Sequence, residues 1–194
     1  MNVNQITSPT EAPMFQDGGI RIVINFLAFQ LGWFACVYGA ARQLPWLGSL
    51  IALAIIAWHV QQARRPWTEA ALIGLTGLIG AAWDSWLVFS GGVEYGNGTL
   101  IPNTAPYWIV MLWMLFATNL NLSLHWMKKE TLLATLLGLI GGPLAYYGGS
   151  LMGALSFPNP FLSLTTIALG WALVTPVLAS LSKRLDGYHR PSTD

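Results

Sequence analysis

From Thr131 to Ser182 the chain runs for 52 residues without Asp, Glu, Lys or Arg. That stretch constrains the fold more than any other feature. A bilayer crossing takes about 20 mostly apolar residues, so the run is too long for one span and long enough for two. Phe157-Pro158-Asn159-Pro160 divides it, because two close prolines do not fit one straight helix. Shorter uncharged runs recur upstream at 22–41, 43–63 and 95–127, and a further apolar segment covers Trp67 to Ser90, with Asp84 read as its internal charge. Only 9% of the residues are charged and 54% are hydrophobic, against roughly 25% charged in soluble domains. So few charges do not cover the surface of a water-soluble globule. A lone Cys36 excludes a disulfide framework. A net charge of +1 gives no field for nucleic acid, so no nucleic-acid partner is expected.

The expected fold class is therefore all-α, a polytopic transmembrane bundle of six helices, near 20–42, 45–63, 67–90, 106–127, 130–154 and 161–182. Residues 1–19 and 183–194 are expected as short cytoplasmic tails flanking a single membrane domain at 20–182. A barrel would need short alternating strands, and these runs are apolar on every side. With six crossings, Arg21, Arg64, Arg65, Lys128, Lys129, Lys183, Arg184 and Arg190 share one side, and Arg42 stands alone on the other. Positive residues collect in the cytoplasm, so a bacterial inner (plasma) membrane location with both termini cytoplasmic is expected. Trp58, Trp67 and Trp126 then fall near the inner interface, and Trp46, Trp86 and Trp108 near the outer one. Gly138-x-x-x-Gly142, Gly149-x-x-x-Gly153, the Gly74, Gly77, Ala81 face and the Gly32, Cys36, Ala40 face offer close helix approach. Their main use is packing within the bundle, with a homo-oligomer or a membrane enzyme partner as the alternative.

An ionisable group at membrane depth is costly and points to function. Asp84 lies about 25 Å along its helix from Trp67, at a depth similar to Arg42, so an Asp84–Arg42 pair is geometrically open. A structural ion pair is the plainer reading. The sharper one makes Asp84 a proton donor or charge stabiliser assisted by Tyr146 or Tyr147, with Glu94 nearby. A second polar group, Asn25, Gln30, His59, Asn119, Asn121, Ser123 and His125, lies in the other half of the membrane. Thr118, Asn121 and His125 follow i, i+3, i+7 spacing and share a helix face. Interhelical hydrogen bonding is the favoured role, with Asn25, Gln30, Asn119, Asn121 and His125 as candidate binding residues. His59 and His125 lack a third ligand in any recognisable motif, so no metal site is expected. No cofactor is indicated, and nucleotide-binding and hydrolase signatures are absent.

As a set, Asn25-Phe26-Leu27-Ala28-Phe29-Gln30-Leu31-Gly32-Trp33-Phe34, Asp84 after a Gly-rich helix, Leu112-Trp113 with Phe116-Ala117-Thr118, Gly141-Gly142-Pro143-Leu144-Ala145-Tyr146-Tyr147-Gly148-Gly149, Gly170-Trp171 and Pro176 resemble a family of small bacterial inner-membrane proteins classed as a domain of unknown function. The resemblance spans most of residues 21–180. It implies a six-helix integral membrane protein. It also implies a genomic neighbourhood of fatty-acyl-modifying enzymes, hence membrane lipid as the partner. It assigns no reaction and no catalytic residues. The functional expectation is an enzyme or accessory subunit in membrane lipid modification around Asp84. The alternatives are a small transporter or channel, or a non-catalytic assembly subunit.

Overall fold

The computed structural model describes residues 14–189. Its elements are α1 (Met14–Ala41), α2 (Pro45–Gln62), α3 (Pro66–Phe89), β1 (Glu94–Tyr95), α4 (Tyr107–Leu120), α5 (Thr131–Leu151), β2 (Leu155–Ser156) and α6 (Pro160–Arg184), with a single 3₁₀ turn at His125–Lys128 between α4 and α5. The expected all-α bundle of six helices is what the chain forms. Four helical segments, Gly18–Ala41, α3, α5 and α6, are long and apolar enough to cross a membrane, and the chain is a multi-pass membrane protein. α2 and α4 are shorter, at 18 and 14 residues.

Local chemistry sets most helix starts. Proline occupies the first turn of α2, α3 and α6, where its missing N–H costs no hydrogen bond. Asn159 caps α6, its Oδ1 accepting from the Leu162 amide at 3.2 Å. Between α1 and α2 the chain reverses in three residues, with Gln43 in the left-handed region at φ 62°. The hairpin closes tightly enough that a Cβ on Gly48 would collide with the backbone of Ala35 and Cys36.

Three boundaries differ from expectation. α1 starts at Met14, so the helix reaches into the segment read as a tail, and residues 1–13 lie outside the described residues. α4 stops at Leu120 rather than 127, because Asn121 turns its side chain to Glu69 Oε2 at 2.7 Å and to the Leu185 carbonyl at 3.0 Å. His125 therefore leaves the face of Thr118 and Asn121. At the other end, Asp186 and Tyr188 are buried against the bundle, so the segment after α6 is a docked element, and residues 190–194 lie outside the described residues.

α4 is the hub. It packs against α1, α2 and α3, while α5 and α6 form a separate hairpin whose α6 meets α3 and α4. Trp171 of α6 stacks on Trp113 of α4 at 4.4 Å and 20°, and Trp83 of α3 fills the space over Gly170. Gly138 and Gly142 of α5 lie directly beneath Trp171, Gly32 meets Leu115, and Gly77 meets Met114. These glycines are consumed inside the bundle. By contrast, α1 and α5 make no extensive backbone contact; they meet through side chains, Trp33 against Gly148 and Val37 against Gly149. The gap between them opens a cavity among the described residues.

Candidate functional site

That cavity has a volume of about 610 Å³, within the range of roughly 300–1,000 Å³ usual for small-molecule sites. Phe29, Gln30 and Trp33 come from α1, Ile109, Trp113 and Phe116 from α4, Gly141 and Tyr146 from α5, and Trp171 and Thr175 from α6. The lining is overwhelmingly apolar. Its polar exceptions are specific. Trp171 Nε1 and Thr175 Oγ1 are buried without a hydrogen-bond partner among the described residues, and both residues line the cavity. Buried polar groups are normally satisfied, so these two stand out, but both atoms are shielded within the wall and present no surface to the cavity.

Behind the Trp113 and Tyr146 wall sits Asp84, fully buried. Tyr146 Oη donates to Asp84 Oδ1 at 2.8 Å, Tyr95 Oη donates to the same oxygen at 2.5 Å, and Trp113 Nε1 donates to Oδ2 at 2.6 Å. Four elements build this knot. α3 carries the carboxyl, α4 the indole and α5 one phenol. The second phenol comes from β1, held in place by antiparallel pairing of Glu94 with Ser156 and Tyr95 with Leu155. An ionised carboxylate accepts about four hydrogen bonds, and three neutral donors supply most of that capacity without a counter-ion.

The structure separates the other residues expected around Asp84. Arg42 is exposed, with its guanidinium 5.1 Å over the Tyr38 ring, a cation–π contact. The Asp84–Arg42 pair does not form. Tyr147 is exposed, because it follows Tyr146 by one position and so faces away from the bundle. Glu94 is exposed and accepts from Ser156 Oγ at 3.2 Å; its neighbour Tyr95 takes the place at the carboxyl group. Trp108 is 1% exposed and donates to the Asn97 carbonyl, so it packs beneath the loop rather than facing headgroups.

A second buried network lies at the end of the bundle bearing the α2–α3 and α4–α5 turns. Asp84 is not the lone acid of α3. Glu69, 0% exposed, pairs with His59 Nε2 at 2.9 Å and accepts from Asn121 Nδ2 at 2.7 Å and the Gly187 amide at 3.0 Å. Lys128 Nζ donates to Asn121 Oδ1 at 2.6 Å and Asp186 Oδ2 at 2.7 Å. Tyr188 Oη donates to the His59 carbonyl at 2.6 Å. Burial alone would raise the Asp186 carboxyl, but the Lys128 bond and the backbone amides of His189 and Tyr188 outweigh it and hold it well below the usual carboxylate range. The sequence reading did not place Glu69, Lys128, Asp186 or Tyr188 in this network, having used Lys128 only as an orienting charge. Glu69 alone carried a visible signal, an acid two residues past Trp67 in an apolar helix.

The expected binding residues divide. Asn25 Nδ2 donates to the Thr118 carbonyl at 3.1 Å, and its Oδ1 lies 2.8 Å from Ser123 Oγ. Asn119 Oδ1 lies 2.7 Å from the same hydroxyl, and Asn119 Nδ2 donates to the Phe116 carbonyl. With Asn121, these amides join helix ends to one another. Gln30 is half-buried and lines the cavity. His125 stands apart from His59 and packs on His189 instead.

These features define a helical multi-pass membrane protein with an apolar cavity backed by a hydrogen-bonded carboxyl group. A family model described as protein of unknown function (DUF2878) matches residues 22–177. The match covers most of the chain, and the chain belongs to that family. No curated protein and no solved structure matches it.

Proposed function

We propose that this protein takes the apolar chain of a membrane lipid into the cavity between α1 and α5 and presents it to the Tyr146–Asp84 pair, as an enzyme or accessory subunit of lipid (fatty-acyl) modification. The carrying observation is the coincidence of an apolar cavity of about 610 Å³ with a wall phenol that is hydrogen-bonded to a buried carboxyl group. The backbone gap between α1 and α5 supports entry from the bilayer, where lipid is the available occupant. A carboxyl group bonded to two phenols is a source and sink for protons, and Tyr146 is the phenol that touches the cavity. The protein sits in the bacterial inner membrane with both termini cytoplasmic, as the distribution of Lys and Arg favours.

The test uses two variants. Gly141 lines the cavity and a Cβ there meets nothing within 4 Å, so Gly141→Leu adds bulk at the cavity wall without a clash at its Cβ. It should abolish labelling of the purified protein by a photoactivatable fatty acid and fail to reverse the lipid-profile change of a strain lacking the gene. Tyr146→Phe should keep the labelling and fail to restore the profile. An unchanged lipid profile in that strain, or equal labelling of Gly141→Leu and wild type, overturns the proposal.

A further inference from the structure

Away from the cavity, the turn after α4 and the segment after α6 bring three metal-ligating side chains together. His125 follows α4 by five residues, and Asp186 and His189 follow α6. Taking one ligand atom from each, all lie within 4.8 Å of one another. His189 Nδ1 is 3.0 Å from Asp186 Oδ2 and 3.2 Å from Oδ1. The His125 and His189 rings face each other at 4.2 Å. The Nδ1 of His125 is buried and has no hydrogen-bond partner among the described residues. A buried imidazole nitrogen left unmet beside a carboxylate and a second imidazole is an independent sign of a missing ligand.

We propose that His125, Asp186 and His189 bind a divalent first-row transition-metal ion of the Zn²⁺ type. Two imidazoles and one carboxylate are a donor set suited to such ions, leaving positions for water. Bonds of about 2.0–2.2 Å put neighbouring ligand atoms on the order of 3.3 Å apart, so the set closes by a small inward movement. His189, whose side chain is 48% exposed, is free to make it. Asp186 is already oriented by Lys128 Nζ and by the amides of Tyr188 and His189, as ligating carboxylates are in metal sites. The Lys128 charge at 2.7 Å opposes a cation and weakens the site without blocking it, because Asp186 Oδ2, 3.0 Å from His189 Nδ1, keeps a second lone pair beside the one that accepts from Lys128. The metal would tie the segment after α6 to the α4–α5 turn, a role independent of the lipid reading.

The experiment uses full-length protein in detergent, without a histidine tag, stripped with chelator and titrated with Co²⁺ and Zn²⁺. Wild type should take up one Co²⁺ per chain with visible ligand-field absorption, lose it to Zn²⁺, and gain thermal stability with added Zn²⁺ as binding to the folded state requires. His125→Gln and His189→Gln should each weaken binding roughly tenfold or more, at least what loss of supporting contacts costs a metal site, and should lose the Zn²⁺-dependent gain. Their metal-free melting should match wild type, particularly for the half-exposed His189. Three outcomes overturn the proposal: no saturable uptake by wild type, uptake that survives both substitutions, or uptake that depends on one histidine alone.

Discussion

Asp84 shows how a membrane chain keeps a carboxyl group without a cation. Its three partners, Tyr95, Trp113 and Tyr146, are all neutral donors, so removing one should cost what a hydrogen bond to a charged group costs, about 1.5–3 kcal/mol. Tyr146→Phe should fall in that range by unfolding in detergent. Asp84→Leu strands the indole N–H and both hydroxyls at once, and should cost roughly 3 kcal/mol or more, since each orphaned buried group carries its own penalty. The reverse order, with Tyr146→Phe the more damaging, would mean the knot is not what holds these elements together. Arg42 provides the contrast. It lies over Tyr38 and away from the carboxyl group, so Arg42→Gln should change stability by no more than about 0.5 kcal/mol. The Arg42→Gln, Asp84→Asn double variant should be additive within roughly 0.5 kcal/mol. Rescue of Asp84→Asn by Arg42→Gln would mean that the two charges are coupled in the wild type, against the placement of Arg42 over Tyr38.

Between helices, stability rests on close approach, because lipid removes the advantage of burying leucine against leucine. Gly138 of α5 lies against the Trp171 carbonyl and Thr175 of α6, and neither backbone is free to yield. Gly138→Ala should therefore destabilise the α5–α6 hairpin by about 1–3 kcal/mol, the usual cost of overpacking. Gly74 of α3 is exposed with nothing within 4 Å of a Cβ, so Gly74→Ala should be neutral or stabilising by up to about 1 kcal/mol through helix propensity. Thermal unfolding of the two variants separates packing from propensity. The helices were largely legible in the sequence, because uncharged runs and the prolines at 45, 66 and 160 act locally. The end of α4 was not legible, since Asn121 leaves the helix to reach Glu69 and Leu185, both remote in the chain. Nor were β1 and β2, each two residues long, too short for a period to register. That gap hid Tyr95, because only the β1–β2 pairing carries it to Asp84. The carboxyl group and Tyr146 were readable from depth and helix position; the remaining donors depend on tertiary closure.

At the scale of the whole molecule, two polar assemblies divide the bundle. The Asp84 knot lies beside the β1–β2 pair, near the α1–α2 and α3–α4 connections. The Glu69 network lies at the opposite end with the α2–α3 turn, the α4–α5 turn and the segment after α6. Chain direction alternates only if all six helices traverse the same slab, including α2 and α4, which fall below the length or hydropathy of the other four. A crossing by α4 requires its continuation through residues 121–124 and the 3₁₀ turn, which carry the chain on to Lys128. Burial of Asn119, Asn121 and Lys128 against neighbours lets that continuation enter the membrane boundary without exposing amides to lipid. Reporter fusions after residues 65, 129 and 190 should then all read cytoplasmic, and fusions near 97 and 158 should read exterior. The fusion at 129 decides the matter. If α4 stops short of crossing, 97 and 129 share a side, and the 129 fusion reads exterior. If it reads cytoplasmic, the 14-residue helix and its 3₁₀ extension cross together, and the eight clustered Lys and Arg residues lie on one face of the membrane.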